Sequence, residues 1–211
     1  MILIGMFDSP FVRRVAISLK LRDLPFEHRN WSVGKDFERI SAYNPLGRVP
    51  TLVLDDGEVL IESGAILDYL DERAESTRRL VPAAGVARRT VLRLMAIATG
   101  AAEKGVMQVY ERAFRPYEKR HEPWVERQRA QAHGALAELE RHCALQPDDW
   151  MVGERMSQAD ITTTCAVTFL DSAMSLVAAP EQYPALRALV TRCETLPEFA
   201  ATRVSWSAPA A

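Results

Sequence analysis

The chain has few cysteines, and nothing in their arrangement indicates a disulfide framework or a metal site. Three are present in 211 residues, an odd number without the spacing of metal ligands. Each falls at an apolar position of a helical pattern, which is typical of a buried free thiol in a reducing compartment. No basic segment followed by a long apolar region is visible, so no signal peptide is predicted. We therefore expect a cytoplasmic protein with free thiols at Cys143, Cys165 and Cys193.

The chain also lacks long apolar runs and an excess of charge of either sign. Asp171 interrupts the best candidate for a membrane span, and no run reaches the roughly 20 residues that a bilayer requires. The formal net charge is −2 with both signs interspersed, so no basic field attracts nucleic acid or an anionic membrane. Neither is expected as a partner. Three pairs of adjacent arginines occur along the chain: Arg13-Arg14, Arg78-Arg79 and Arg88-Arg89. We interpret most of these residues as lying on solvated helix faces.

Histidines are too few and too scattered to predict a metal site. His133 and His142 lie nine residues apart and would point to opposite sides of a helix, and His28 and His121 have no partner at ligand spacing. We interpret all four as surface residues and expect no metal.

The first 75 residues alternate between strand and helix patterns. Residues 2–6 predict a short buried strand, and from Phe11 the apolar period changes to that of a helix. The remaining elements are a strand over 25–31, a short helix over 35–43, strands over 51–56 and 58–62 joined at Asp56-Gly57, and a helix from Ser63. This β-α-β-α-β-β-α order predicts an α/β fold with a small mixed sheet.

After a charged connector that contains Pro and Gly, every periodic segment is helical. One long helix is predicted from Val91 to Val109 despite Gly100 and Gly105, and the apolar segment 161–177 suits a helix at the centre of a bundle. The predicted organisation has three parts: an α/β domain over 1–75, a linker over 76–86 and an all-α domain over 87–211.

Two serines stand where helices are predicted to begin. Ser9 is a preferred N-cap, and Pro10 suits the first helical position because its missing N–H would be unpaired there. The same helix start is also a site for an anion, since free N–H groups and the positive end of the dipole converge there. The local pattern favours the cap, and both functions are compatible. Ser157 and Asp160 have the spacing of a capping box, which we interpret as structural.

Two further motifs combine a structural and a binding interpretation. Pro50 enters a strand at a position where proline is tolerated, and a cis Val49-Pro50 bond would turn the Val49 backbone toward a peptide-like ligand. Glu62-Ser63 lies at a strand-to-helix junction, with Ser63 predicted as the cap. In the binding interpretation Ser63 and the helix N–H groups take a carboxylate while Glu62 takes a neighbouring ammonium.

Together these residues resemble the glutathione transferase family. The resemblance covers nearly the whole chain and is more specific in the first domain than in the helices. It implies a thioredoxin-like domain followed by an all-helical bundle, assembled as a homodimer with the active site in the cleft between domains. The segments that carry it occur in the family's order and spacing: SPFVRR, NPLGRVPTLVLDDGEVLIES, AILDYL and SQADI.

The resemblance implies a role for several single residues. Ser9 matches the position that faces the glutathione sulfur, and Val49 matches the residue whose backbone pairs with the cysteinyl unit beside a cis Pro50. Glu62 and Ser63 match the pair that binds the γ-glutamyl amine and carboxylate. Further glutathione contacts are expected from Phe11 and from Arg48, a candidate for the glycine carboxylate. The electrophile site is expected at Phe7, Phe11, Met107, Tyr110, Phe114 and Trp206.

A serine at position 9 separates two chemistries. Relatives with CPF here use a cysteine that forms mixed disulfides, and no cysteine of this chain lies near the motif. Lowering a thiol pKa of about 8.5 by about two units requires roughly 2.7 kcal/mol. A hydroxyl hydrogen bond to a charged acceptor supplies about 1.5 to 3 kcal/mol, and a helix N-terminus adds about 0.3 to 1 kcal/mol. Ser9 would therefore stabilise a thiolate as a donor, without a general base.

The sequence therefore predicts an enzyme that uses glutathione as co-substrate and adds its thiolate to a small hydrophobic electrophile or a peroxide, a detoxification reaction. Two alternatives stay open: a non-catalytic binding or regulatory protein of the same fold, and a glutathione-dependent isomerase or dehalogenase. Ser9 and Glu62-Ser63 argue against the first. A chain that no longer binds glutathione has no need for the γ-glutamyl clamp, in which Glu62 takes the ammonium and Ser63 the carboxylate. Nothing in the motifs decides the second.

Overall fold

The computed structural model describes residues 1–146, 149–175 and 181–206. Its first half contains four strands and three helices in the predicted β-α-β-α-β-β-α order. The strands are shorter than their sequence patterns, because the flanking residues lie outside the ladders. The elements are β1 (Ile2–Ile4), α1 (Pro10–Lys20), β2 (Glu27–Arg29), α2 (Phe37–Ser41), β3 (Thr51–Val53), β4 (Val59–Ile61) and α3 (Ser63–Glu72).

The four strands form one mixed sheet in the order β2-β1-β3-β4. β1 is parallel to β2, and α1 is the crossover between them, while β3 is antiparallel to both β1 and β4. The predicted hairpin joins β3 to β4 through a turn over 54–58, in which the Leu54 N–H donates to the Glu58 carbonyl at 2.8 Å. Gly57 has a φ of +90° in this turn, a conformation that favours glycine.

The second half of the chain is helical. The long helix predicted across Gly100 and Gly105 is confirmed as α4. It begins inside the stretch predicted as linker, which also contains a 3₁₀ turn at Ser76–Arg78. The helices are α4 (Gly85–Ala113), α5 (Glu122–Ala144), α6 (Gln158–Met174), α7 (Pro184–Glu194) and α8 (Pro197–Ala200), with a second 3₁₀ turn at Tyr117–Lys119.

Helix α6 occupies the centre of the helical half, as its apolar pattern predicts. Nearly all of its residues from Gln158 to Leu170 are buried. Gly105 of α4 allows the close approach of α6, since a Cβ there would lie 2.6 Å from Leu170 Cδ2 and 2.9 Å from Phe169 Cε1. The predicted apolar segment extended to Val177, which lies outside the described residues.

The three cysteines are buried free thiols. Burial raises the pKa of each to about 12, so all three are protonated and unreactive at neutral pH. Within the described ranges, no helix is both long and apolar enough to cross a membrane.

A capping box begins α6. The Ser157 Oγ accepts the Ala159 N–H at 3.3 Å, and the Ser157 N–H donates to Asp160 Oδ2 at 2.8 Å. The other oxygen of the Asp160 carboxylate accepts the Met151 N–H at 2.8 Å. Burial raises the pKa of Asp160, although these hydrogen bonds favour its charged form. The box therefore holds both the helix start and the loop before it.

A buried ion pair joins α1 to the C-terminal helices. Both Arg13 terminal nitrogens donate to Glu194, each at 2.8 Å, and the Thr168 hydroxyl donates to the same carboxylate at 3.1 Å. The side chains of Arg13 and Glu194 are 5% and 7% exposed. Most of the paired arginines lie outside the core, as predicted. Arg13 is an exception, as is Arg14, which is also buried, because the helices of the second half cover α1.

Replacing Glu194 with alanine should destabilise the protein by about 3 to 5 kcal/mol, because the change leaves the Arg13 guanidinium buried without a counterion. Removing the exposed partner of Arg129 by Glu126→Ala is the control, and we expect it to change stability by less than about 0.5 kcal/mol. Urea unfolding at pH 7 measures both.

The effect of Glu194 should depend on pH. Burial alone would raise the pKa of Glu194, but the hydrogen bonds and charge of Arg13 more than offset this, so the folded-state pKa lies below its ordinary value. The contribution of Glu194 is then complete above its unfolded pKa of about 4.3 and is lost as pH falls through the folded value. An equal difference between wild type and Glu194→Ala at neutral and strongly acidic pH would contradict this explanation.

Candidate functional site

Three turns meet at one edge of the sheet. Ile4, the last residue of β1, pairs with Thr51, the first residue of β3, and Thr51 pairs with Ile61, the last residue of β4. The turn after β1, the turn before β3 and the turn after β4 therefore lie side by side. These turns carry Ser9, Val49 and Glu62-Ser63.

Ser9 caps α1. Its Oγ accepts the Val12 N–H at 3.4 Å, and Pro10 occupies the first turn of the helix. Among the described residues, no acceptor takes the Ser9 hydroxyl proton. The half-buried hydroxyl can therefore cap the helix with a lone pair and still donate its proton to a ligand.

The Val49-Pro50 peptide bond is cis. Asn44 Nδ2 donates to the Arg48 carbonyl at 2.8 Å, and the Thr51 hydroxyl donates to the same oxygen at 3.3 Å. These two bonds hold the turn before β3. Val49 is half-buried, whereas the Arg48 side chain extends into solvent.

At the third turn, the structure corrects the prediction of the cap. The N-cap of α3 is Glu62, whose carboxylate accepts the Gly64 N–H at 3.4 Å, and Ser63 is the first helical residue. Glu62 has a φ of +68°, which is uncommon for a residue with a side chain. Because Ser63 lies inside the helix, its hydroxyl is turned into the protein, where it is 1% exposed.

Arg14 lies directly beneath Ser63, and the sequence analysis missed it as a site residue. Its Nη2 donates to the Ser63 hydroxyl at 2.6 Å, and its Nη1 donates to the hydroxyls of Thr99 and Thr162 at 3.2 and 3.5 Å. The Ser63 hydroxyl in turn donates to a Glu62 carboxylate oxygen at 3.3 Å. A signal was present in the sequence. If the sheet covers one side of a short helix and other helices cover the opposite side, two adjacent arginines in it cannot both reach solvent.

Arg14 makes no direct ion pair in the part of the chain that the structure describes, and the Glu62 carboxylate reaches it only through the Ser63 hydroxyl. Its Nε also lacks a hydrogen-bond acceptor there. Burial lowers the pKa of Arg14 to about 10, although the charge of Glu62 acts against this shift, so the guanidinium is still charged at neutral pH. An unpaired buried charge is costly, and an anion bound near Ser63 would reduce that cost.

A stripe of exposed apolar side chains runs along α4. Met107, Tyr110 and Phe114 are 48%, 38% and 42% exposed, and the last two rings meet edge to face with centroids 5.2 Å apart. Burial raises the pKa of Tyr110, and the nearby charge of Arg48 acts against this shift. Trp206 is half-buried against the main core.

Phe7 lies in the turn after β1, where its ring stacks on His28. The ring centroids are 3.8 Å apart and the planes are within 1° of parallel. His28 Nε2 is also 2.7 Å from the Gly5 carbonyl oxygen. The interpretation of all four histidines as surface residues is therefore wrong for His28, and also for His133 and His142, which are half-buried and hydrogen-bonded. Across residues 1–146, 149–175 and 181–206, no group of three or more His, Cys, Asp or Glu could hold a metal ion.

Comparison with protein-family models gives two matches. Residues 3–78 match the N-terminal domain of glutathione S-transferase, and residues 122–192 match its C-terminal domain. Among curated proteins, the chain is similar to the uncharacterized GST-like protein YibF of Escherichia coli K12. The two are 30% identical over 169 residues, which cover 80% of this chain and 81% of that protein.

Two solved structures are similar over nearly the whole chain. One is a glutathione S-transferase from Methylobacterium radiotolerans in complex with glutathione sulfonate, with a TM-score of 0.88 and 30% identity, covering 100% of this chain and 95% of that one. The other is a glutathione transferase family member from Pseudomonas fluorescens Pf-5 with bound glutathione, with a TM-score of 0.85 and 32% identity, covering 96% and 98%.

A methyl group at Gly5 should disrupt the turn that carries Ser9. Gly5 has a φ of +129°, and a Cβ there would lie 2.5 Å from Val12 Cγ2 and 2.8 Å from Val49 Cβ. We expect Gly5→Ala to cost at least about 2 kcal/mol in urea unfolding, from overpacking together with the unfavourable φ.

Gly134→Ala is the matched control for this substitution. Gly134 lies in α5, and a Cβ there meets nothing within 4 Å. Alanine should raise stability by about 0.4 to 1 kcal/mol at that position through its higher helix propensity. If Gly5→Ala were also neutral or stabilising, the turn would be looser than these distances imply.

Proposed function

Because the chain belongs to the glutathione S-transferase family, we propose that it binds glutathione and adds its thiolate to a small hydrophobic electrophile or a peroxide. The observation that carries the proposal is the buried charge of Arg14 beneath Ser63, which has no direct counterion among the described residues and meets the Glu62 carboxylate only through the Ser63 hydroxyl. A protein with no anion to bind gains nothing from such a charge, since an apolar residue of similar volume would be at least as stable.

The γ-glutamyl end of glutathione suits the third turn. Its carboxylate would replace that of Glu62 as the acceptor of the Gly64 N–H and of the Ser63 hydroxyl proton, and Arg14 would supply the compensating charge through that hydroxyl. Glu62 is exposed, and its carboxylate would take the neighbouring ammonium. The positive φ of Glu62 supports this, because strain at such a position is maintained where it serves binding.

The rest of the tripeptide would extend across the other two turns. The Val49 backbone beside the cis bond would pair with the cysteinyl unit, and the exposed Arg48 would take the glycine carboxylate. The sulfur would then lie at the start of α1, where the Ser9 hydroxyl has a proton to donate and Phe11 is half-buried beside it. Hydroxyl and helix dipole together supply about 2 to 4 kcal/mol, enough for a thiolate at neutral pH.

The electrophile would bind against the apolar stripe of α4. Met107, Tyr110 and Phe114 present apolar surface there, and Phe7 belongs to the turn that carries Ser9. We also propose that the protein is a cytoplasmic homodimer with a detoxifying function. The proposed division is into two domains, 1–75 and 87–211, joined by a linker over 76–86. Membership of the family supports both statements.

Ser9→Ala should lower kcat/KM with a chlorodinitrobenzene by about 10- to 100-fold, the equivalent of one charge-assisted hydrogen bond. Glutathione affinity should change little, because the clamp at Glu62-Ser63 is intact. Steady-state kinetics and calorimetry measure the two effects. Wild type that binds glutathione without turnover would favour a non-catalytic binding protein, whereas wild type that neither binds nor reacts would overturn the proposal. Unchanged activity in Ser9→Ala would show that another group is the donor.

Arg14→Met should weaken glutathione binding by about 10-fold or more. The ligand-free protein should unfold at the same urea concentration or higher, because methionine removes an unpaired buried charge. The matched control is Arg22→Met. Arg22 is also buried, but it is paired with Asp71 at 2.7 Å, so its loss should lower stability and leave glutathione affinity unchanged. If Arg14→Met behaved like this control, Arg14 would be a structural residue.

A further inference from the structure

The turn that carries Ser9 is held from the neighbouring edge strand by one side chain. His28 of β2 reaches the Gly5 carbonyl at 2.7 Å and stacks against Phe7 at 3.8 Å. Gly5 and Phe7 are the first and third residues of the turn over 5–9. His28 therefore contacts both the start and the middle of this turn.

The hydrogen bond defines the protonation of the ring. A carbonyl oxygen can only accept, so Nε2 of His28 must carry a proton. The parallel ring contact with Phe7 requires a flat side chain at the same time. Glutamine can place an amide N–H near the position of Nε2 but offers no ring, so it provides only one of the two contacts.

The space around Gly5 is filled by two further side chains. Val12 and Val49 press on Gly5, so that even a methyl group would collide there. At its far end the turn closes through a bond from the Ser9 N–H to the Met6 carbonyl at 3.2 Å. The Gly5 N–H also donates to the Arg29 carbonyl at 3.0 Å. His28 is thus a side-chain contact whose loss would let the turn relax toward β2.

We infer that His28 is a positioning residue for thiolate stabilisation, which holds the Ser9 hydroxyl at hydrogen-bonding distance from the glutathione sulfur. The inference rests on the proposed function. His28 itself touches neither glutathione nor electrophile and acts through Gly5 and Phe7. Hydrogen-bond strength falls steeply with distance and angle, and displacements of about 1 Å at a reacting group can cost about 100-fold in rate. A relaxed turn would therefore weaken the bond to sulfur before it weakened binding.

The test is a titration of the thiol of bound glutathione, followed by ultraviolet thiolate absorbance in the binary complex. No electrophile is present, so any part of Phe7 in the electrophile site does not affect the measurement. We expect His28→Ala to raise the pKa of the bound thiol by about one unit, which is about a 10-fold loss of thiolate at neutral pH. The dissociation constant for glutathione should stay within about 2-fold, because the γ-glutamyl clamp is untouched.

Two further variants separate the contacts. His28→Gln keeps a donor for the Gly5 carbonyl, so the pKa of the bound thiol should stay close to the wild-type value. Phe7→Leu removes only the stacking and should raise this pKa by less than His28→Ala does. Both report on the inference even if His28→Ala fails to fold. Equal thiol pKa values in wild type, His28→Gln and Phe7→Leu, together with a normal value in any folded His28→Ala, would overturn it.

His142→Ala is the matched control. His142 is half-buried in α5 and forms the same kind of bond, from Nε2 to the Met151 carbonyl at 2.8 Å, away from the three turns. Its loss should lower stability without moving the thiol pKa. If His142→Ala shifted the thiol pKa as much as His28→Ala, the effect would be one of general destabilisation and the inference would be wrong. Absence of a bound thiolate in wild type would instead overturn the proposed function.

Discussion

The burial of two adjacent positive charges in α1 is the constraint on which the rest of the structure depends. Consecutive residues of a helix point about 100° apart, so Arg13 and Arg14 cannot share a partner. Arg13 reaches Glu194 and joins the sheet half to the C-terminal helices. Arg14 reaches only hydroxyl groups. Arg13 therefore links the two halves of the chain, and Arg14 places a positive charge where an anion can bind.

The register of the sheet brings the candidate site together. Ile4, Thr51 and Ile61 are neighbours across three strands, so turns that are far apart in the chain meet at one edge. Side chains from outside the turns then limit their movement. Val12 packs against Gly5, and His28 bonds to the carbonyl of the same residue. Such supporting contacts matter because sites on loops are otherwise less precise than sites on helices or strands.

Sequence reasoning succeeded where a structure depends on neighbours in the chain. The order of elements, the caps at Ser9 and Ser157, the hairpin and the long α4 all follow from contacts a few residues apart. It failed where a second layer decides the environment. Ser63 has the composition of a cap, yet Glu62 takes that position and Ser63 turns inward to Arg14. The functions assigned to Ser9, Val49 and Arg48 stay predictions.

The sequence by itself determined the fold class, the family and which segments could form a binding edge, because periodicity, caps and turn residues act over short distances along the chain. Only the tertiary structure decided which charges are buried and what they touch. Burial of a side chain depends on every element that packs against it, and those elements come from remote parts of the chain. Hence Arg14 and His28, which looked like surface residues, became the supports of the candidate site only when α6 and β1 were in place beside them.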